Sequence, residues 1–103
     1  MAKLSTRGSM DEFNGTSFHD QTIRCSYNEL VATLGTPQAA DNSGEDKVNF
    51  CWYCKTTGGR PFTIYDWKEY RPLRTDERIE WHIGGHSGID TQQARKELEL
   101  MIY

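Results

Sequence analysis

Two residue pairs in this chain have the spacing of metal ligands, Cys51-x2-Cys54 and His82-x3-His86. Thiolate and imidazole donors at these intervals are what a tetrahedral zinc site uses. The twenty-seven residues between Cys54 and His82 are too many for the usual finger. Residues 48–55 read VNFCWYCK, a run of strand formers. Neighbours on a strand alternate faces, so Cys51 and Cys54 point to opposite sides and cannot share one ion. A zinc knuckle also needs a tight turn between its cysteines, where Trp52 and Tyr53 stand here. The expectation is no metal and no other cofactor, with Cys54 inward and Cys51 outward. The set Cys51, Cys54, His82 and His86 is the alternative.

Cys51 and His82 both fall on the outward phase, which raises a thiol nucleophile with an imidazole base. No third group to orient the base and no oxyanion donor can be identified, so the chain is read as a non-enzyme, with a zinc- or Cys-dependent enzyme as the third reading. The run Gly84-Gly85-His86-Ser87-Gly88 is read as a glycine-rich turn before a helix. Successive N–H groups there would suit an anion, the phosphate of a nucleotide for example. The bland alternative is a turn that needs positive φ at Gly84, Gly85 or Gly88. The spacing is not that of a dinucleotide fingerprint.

The remaining candidate is a surface. Tyr53, Tyr65, Trp67 and His82 share the outward phase of adjoining strands, more aromatic area than a solvated sheet face needs. Aromatic side chains with arginines nearby are what protein interfaces and base-stacking sites enrich. Arg60, Lys68, Arg71, Arg74 and Arg78 lie in the neighbouring turn and connection, against Asp66, Glu69, Asp76 and Glu77. Tyr53, Tyr65, Trp67 and His82, with Arg71 or Arg74 at the rim, are the expected partner contacts. Cover by the N-terminal segment or by a second copy in a homodimer is the competing use of this face.

The elements that position these residues follow from periodicity. Three aromatic and β-branched runs between Lys47 and Gly84 predict an antiparallel meander. Its core face would be Val48, Phe50, Trp52, Phe62, Ile64, Ile79, Trp81 and Ile83. Ser26 three residues before Glu29 is a capping box, and Tyr27, Leu30, Val31 and Leu34 form a stripe, predicting a helix over 26–34. Gly35 and Pro37 end it. A second helix is expected over 91–102, capped by Asp90 with Gln93 or by Thr91. The segments 16–19 and 22–25 read as a short strand pair about Asp20-Gln21, and 38–46 as an exposed loop. The fold class is α+β, a two-layer sandwich with three to five antiparallel strands covered on one face by two helices.

The chain has 103 residues and a net charge of −3, which bounds it to one domain without general nucleic-acid or anionic-membrane binding. No apolar run is long enough to span a membrane. The three cysteines, an odd number without a secretory signal, suggest reduced thiols in a cytoplasm. Residues 1–9 read as vector-derived, leaving 10–103 as the domain.

The stretches SYNELVATLGTP, DKVNFCW, FTIYDWK and WHIGGHS, in that order over about residues 15–102, resemble a group of small uncharacterised bacteriophage proteins. IYDWK and WHIGGHS carry the resemblance most specifically. It implies a small cytoplasmic protein made in an infected bacterium, no known catalytic residues, and no requirement for Cys at positions 51 and 54. A weaker similarity runs to small outer-membrane assembly and β-lactamase-inhibitor folds. The resulting expectation is a binding protein that inhibits a host bacterial factor, such as an anti-CRISPR or an inhibitor of immune signalling. The alternative is a sponge for a phosphate-bearing nucleotide that uses the Gly84–Gly88 turn and the aromatic face.

Overall fold

The computed structural model describes residues 2–4, 10–45 and 47–103. They form an antiparallel sheet with two helices on one face, the expected α+β arrangement. The strands are β1 (Lys3–Leu4), β2 (Ser17–Ser26), β3 (Ala39–Ala40), β4 (Phe50–Lys55), β5 (Pro61–Tyr65) and β6 (Arg78–Gly85). Their spatial order is β1-β4-β5-β6-β2, and β3 pairs with β4 further along the edge that β1 uses. The sheet is thus five strands wide, and the meander β4-β5-β6 lies at its centre. Among the described residues no helix is long and apolar enough to cross a membrane.

Helix α1 (Tyr27–Leu34) starts at the capping box read from the sequence. Ser26 Oγ accepts from the Glu29 amide at 3.1 Å, and Glu29 Oε1 accepts from the Ser26 amide at 3.0 Å. Gly35 ends it at φ 100°, a conformation that favours glycine. Helix α2 (Gly88–Ile102) begins earlier than expected. Its cap is Ser87, which accepts from the Asp90 amide at 3.2 Å, in place of Asp90 or Thr91. The Asp90 carboxylate is instead taken by the Arg60 guanidinium, whose Nη2 donates at 2.9 Å.

Cross-strand register explains the core. On the inward face Trp52, Ile64 and Ile83 form one row, and Cys54, Phe62 and Gly85 the next. Ile23 pairs with Trp81, and Cys25 with Ile79. All of these apolar side chains are buried, together with Leu30, Ala94 and Leu98 of the helices. Phe50 is buried as expected, while Val48 lies just before β4 and is half-buried. Trp52 and Trp81 meet edge-to-face with centroids 5.4 Å apart. Each indole N–H has an acceptor at 2.8 Å, Gly35 O for Trp52 and Cys25 O for Trp81. These bonds remove the cost of burying the polar end of a large ring, and the first ties the C-terminal end of α1 to β4.

Two expectations change. The segments 16–19 and 22–25 are not a strand pair: residues 17–25 belong to one edge strand, β2, paired with β6, and Thr16 precedes it. The break read at Asp20-Gln21 is a register irregularity between Phe18 and Thr22, with Asp20 at φ 65°. The loop 38–46 contributes β3, and Asp46 lies outside the described residues. Within the stretch set aside at 1–9, Ala2 is buried and Lys3–Leu4 pair with Cys54 and Lys55; residues 1 and 5–9 lie outside the described residues.

A polar node holds the two long connections. Asp66, fully buried, accepts from the Asn49 amide at 2.9 and 3.1 Å, the Asn49 side chain at 3.1 Å and the Phe50 amide at 2.9 Å. Asn49 Nδ2 also donates to Arg71 O at 2.9 Å, and its Oδ1 accepts from the Gly44 amide at 3.1 Å. Asn42 closes the other side, donating to Leu73 O and accepting from the Leu73 amide. Asp66 was read from sequence as a rim charge, and its burial corrects that.

Trp81→Ala is expected to destabilise the fold by ~3–5 kcal/mol, a large-to-small deletion at a site with no room to relax, as a chemical denaturation curve would read. Asp66→Ala leaves three buried donors unpaired, and at ~1 kcal/mol or more each it is expected to cost ~3 kcal/mol or more. A midpoint unchanged by either substitution would remove that residue from the account.

Candidate functional site

The face of the sheet opposite α1 and α2 carries the expected aromatic residues. Register sets them in two rows: Tyr53, Thr63, Gly84 and Phe18, then Cys51, Tyr65, His82 and Thr22. Tyr65 and His82 are direct cross-strand partners with ring centroids 5.7 Å apart. Trp67, two residues past Tyr65 and beyond the end of β5, stands edge-to-face to Tyr65 at 6.0 Å and 6.4 Å from His82. Tyr65, Trp67 and His82 are therefore brought together.

Sequence reasoning missed Phe18, whose ring stacks on His82 at 4.3 Å. It also missed the ammonium of Lys47, 5.9 Å from the Trp67 ring centre, and that of Lys68, at 5.5 Å, was named only among neighbouring cations. Phe18 and Trp67 are each 39% exposed, so the cluster offers two large rings to solvent, with cations at the Trp67 end. Burial lowers the His82 pKa, while Glu80 and Glu69 act the other way. Its ring is thus biased toward neutral imidazole and serves as a stacking surface. The signal for Phe18 was its outward phase, hidden by reading β2 as two pieces.

Tyr53 is placed apart from this cluster. The 3-10 helix Met10–Phe13 sets Phe13 edge-on against it at 5.1 Å. Arg71 and Arg74 face acids of their own connection. Arg71 donates to Glu77 at 2.7 and 3.0 Å and to Glu69 at 3.3 Å, and Arg74 donates to Asp76 at 3.0 Å. The Arg71 guanidinium and the Arg74 amide hold the Glu77 carboxyl down at about 2. Arg60 and Arg78 are likewise paired, with Asp90 and Glu29. Two of the five cations named beside the face are thus part of α2 and α1 anchoring.

The glycine-rich segment is not a turn. Gly84 and Gly85 are the last residues of β6, paired with Phe18 and Ser17 on one side and with Thr63 and Phe62 on the other. None of Gly84, Gly85 and Gly88 has positive φ. The reason for glycine at 84 and 85 is close packing. A Cβ on Gly84 would lie 2.6 Å from Thr63 Oγ1, and one on Gly85 2.9 Å from Thr91 Cγ2. His86 Nε2 lies 2.7 Å from Glu12 O, and Ser87 caps α2. An anion at this helix start would also meet the Asp90 carboxylate, an unfavourable neighbour.

Cys51 and Cys54 lie on opposite faces of β4, half-buried and buried. Among the described residues no group of three or more His, Cys, Asp or Glu is arranged to hold a metal ion. Burial pushes the Cys51 thiol up to about 11, opposed by a hydrogen bond with the Tyr53 side chain. A neutral thiol is a poor nucleophile. Burial raises Cys25 to about 12, and Cys54 is raised by the same cause.

Compared with protein-family models, curated proteins and solved structures, the chain matches none of them.

The raised thiol makes a prediction. Cys51 is expected to react with a thiol-specific disulfide reagent at pH 7.5 more slowly than a free cysteine peptide by ~100-fold, given their difference in thiolate fraction. The rate should climb as pH approaches about 11. Peptide-like reactivity at pH 7.5 would contradict the burial of this thiol.

Proposed function

We propose that this chain acts by binding and not by catalysis, and that its partner docks on the cluster of Phe18, Tyr65, Trp67 and His82. The supporting observation is the joint placement of these rings on the face of the sheet that neither helix covers. Two of them are 39% exposed, and lysines stand over Trp67. Large rings held by their neighbours lose little entropy on binding, which is why such residues dominate interface energetics. A protein partner fits best, with an aromatic anchor at the centre and cations at the rim.

The partner proposed is a host bacterial protein that this chain blocks, a defence component foremost. The support for this is the resemblance of the IYDWK and WHIGGHS stretches to phage proteins, since small phage proteins without catalytic motifs often act by binding. Arg71 and Arg74 tune association rate through the rim, and their ion pairs with local acids limit that role.

Capture from bacterial lysate on immobilised protein tests this reading. Trp67→Ala is expected to weaken the captured complex by ~2 kcal/mol or more, and to shift the melting temperature by no more than about 4 °C. Undiminished capture, or a melting temperature lowered well beyond that, would show Trp67 to be structural.

A further inference from the structure

Beside the aromatic cluster the outward face is a walled trough, a cavity of about 380 Å³. We infer that this trough is a second binding site, for a neutral, planar, hydrogen-bonding ligand of the nucleoside class. Its volume falls within the range of small-molecule sites. This inference goes beyond the proposed partner surface and does not depend on it.

The floor is set by register. Tyr53, Thr63 and Gly84 lie side by side across β4, β5 and β6, with Cys51 and Tyr65 in the adjacent row. Gly84 brings no side chain to this row, and a Cβ there would run into Thr63 Oγ1 at 2.6 Å and approach Tyr65 Cε1 at 3.4 Å. The absence of that atom gives the trough its depth.

The wall is the segment 13–17, from which Phe13, Asn14, Thr16 and Ser17 line the trough. The Met10–Phe13 turn that leads into it is held to the sheet by the Phe13–Tyr53 ring contact and at two further points. Lys55 Nζ pairs with Glu12 Oε1 at 3.0 Å, and His86 Nε2 lies 2.7 Å from Glu12 O. Thr16 closes the turn by donating from its amide at 3.1 Å and its hydroxyl at 2.8 Å to Phe13 O. Phe13 itself is buried. A wall held at several points is a preformed site and not a chance gap between side chains.

The lining decides the ligand. It contains hydroxyls, an amide and a thiol, and no Asp, Glu, Lys, Arg or His. Its titratable groups stay protonated at neutral pH: burial raises Cys51 and Tyr65, and the neighbouring Cys51 raises Tyr53. Lys55 at the end of β4 is occupied by Glu12. Without a free charge the trough offers nothing to compensate the desolvation of a phosphate or carboxylate. Hydroxyls that both donate and accept match the mixed edge of a nucleobase, and Phe13, Tyr53 and Tyr65 supply aromatic borders for a flat ring.

The test is an amide chemical-shift titration of the full chain with adenosine, guanosine, cytidine and uridine, with AMP and ribose as controls. At least one nucleoside is expected to shift the Tyr53, Thr63 and Gly84 amides saturably. Tyr53→Phe should weaken that binding by ~fivefold, the loss of one neutral hydrogen bond. Thr63→Val carries the same test if Tyr53→Phe alters the melt. Trp67→Ala should leave the titration unchanged, so the failure of the partner surface and the failure of the trough are separate results. No saturable shift with any nucleoside would overturn the inference. So would ribose or AMP acting at lower concentration than the nucleosides, or binding indifferent to both hydroxyl variants.

Discussion

The carboxylate of Asp66 is the constraint on which the working face depends. It sits one residue past the end of β5, fully buried, and gathers the Asn49 and Phe50 amides and the Asn49 side chain. Those amides mark the point where the chain enters β4. One side chain therefore fixes the start of one central strand to the end of its neighbour. The next residue is Trp67, whose position on the outward face is set by that anchor. The Lys68 amide then donates to Lys47 O at 2.7 Å, with Lys68 at φ 56°, so the backbone on both sides of Trp67 is held. A non-glycine residue at positive φ costs of order 1 kcal/mol or more, so Lys68 keeps this conformation because its surroundings hold it.

The two faces of the sheet have separate tasks. The inward face holds the molecule together through Trp52, Trp81 and the aliphatic rows under both helices. Because that face secures stability, the outward face is free to carry features that stability alone would not select. These include Phe18 and Trp67 in solvent, a half-buried histidine, and a trough floored by hydroxyls and a thiol. The outward face holds two adjoining regions. In one Phe13 and Tyr53 border an uncharged trough, and in the other the stacked cluster ends at lysines. Tyr65 belongs to both, paired across β4 with Cys51 and across β6 with His82.

Period-two alternation made the meander, its core rows and the Tyr65–His82 pairing legible, since strand geometry leaves little freedom once register is set. The capping box at Ser26 and Glu29 was equally plain. What was hidden had physical reasons. Asp66 has the inward phase of Phe62 and Ile64, yet a charged residue at a strand end is ordinarily solvated, and its donors come from a loop seventeen residues earlier. Gly84 and Gly85 signalled a turn because glycine more often relieves φ than crowding, and the crowding atoms, from Thr63 and Thr91, are distant in sequence. Arg71 and Arg74 looked available until their acidic neighbours folded back on them. Phe18 required knowing that β2 joins β6, a long-range pairing with no local signal.

The most direct test of this account is the set of proton–proton contacts made by the Trp67 indole in solution. Nuclear Overhauser effects are expected from Trp67 to Tyr65 and His82, and from Phe18 to His82, alongside Trp52–Trp81 contacts in the core. In Asp66→Asn the Trp67 contacts should weaken while the Trp52–Trp81 contact persists. Trp67 contacts to the core rows in the native protein, or Trp67 contacts untouched by loss of the carboxylate, would contradict the claim that Asp66 positions the working face.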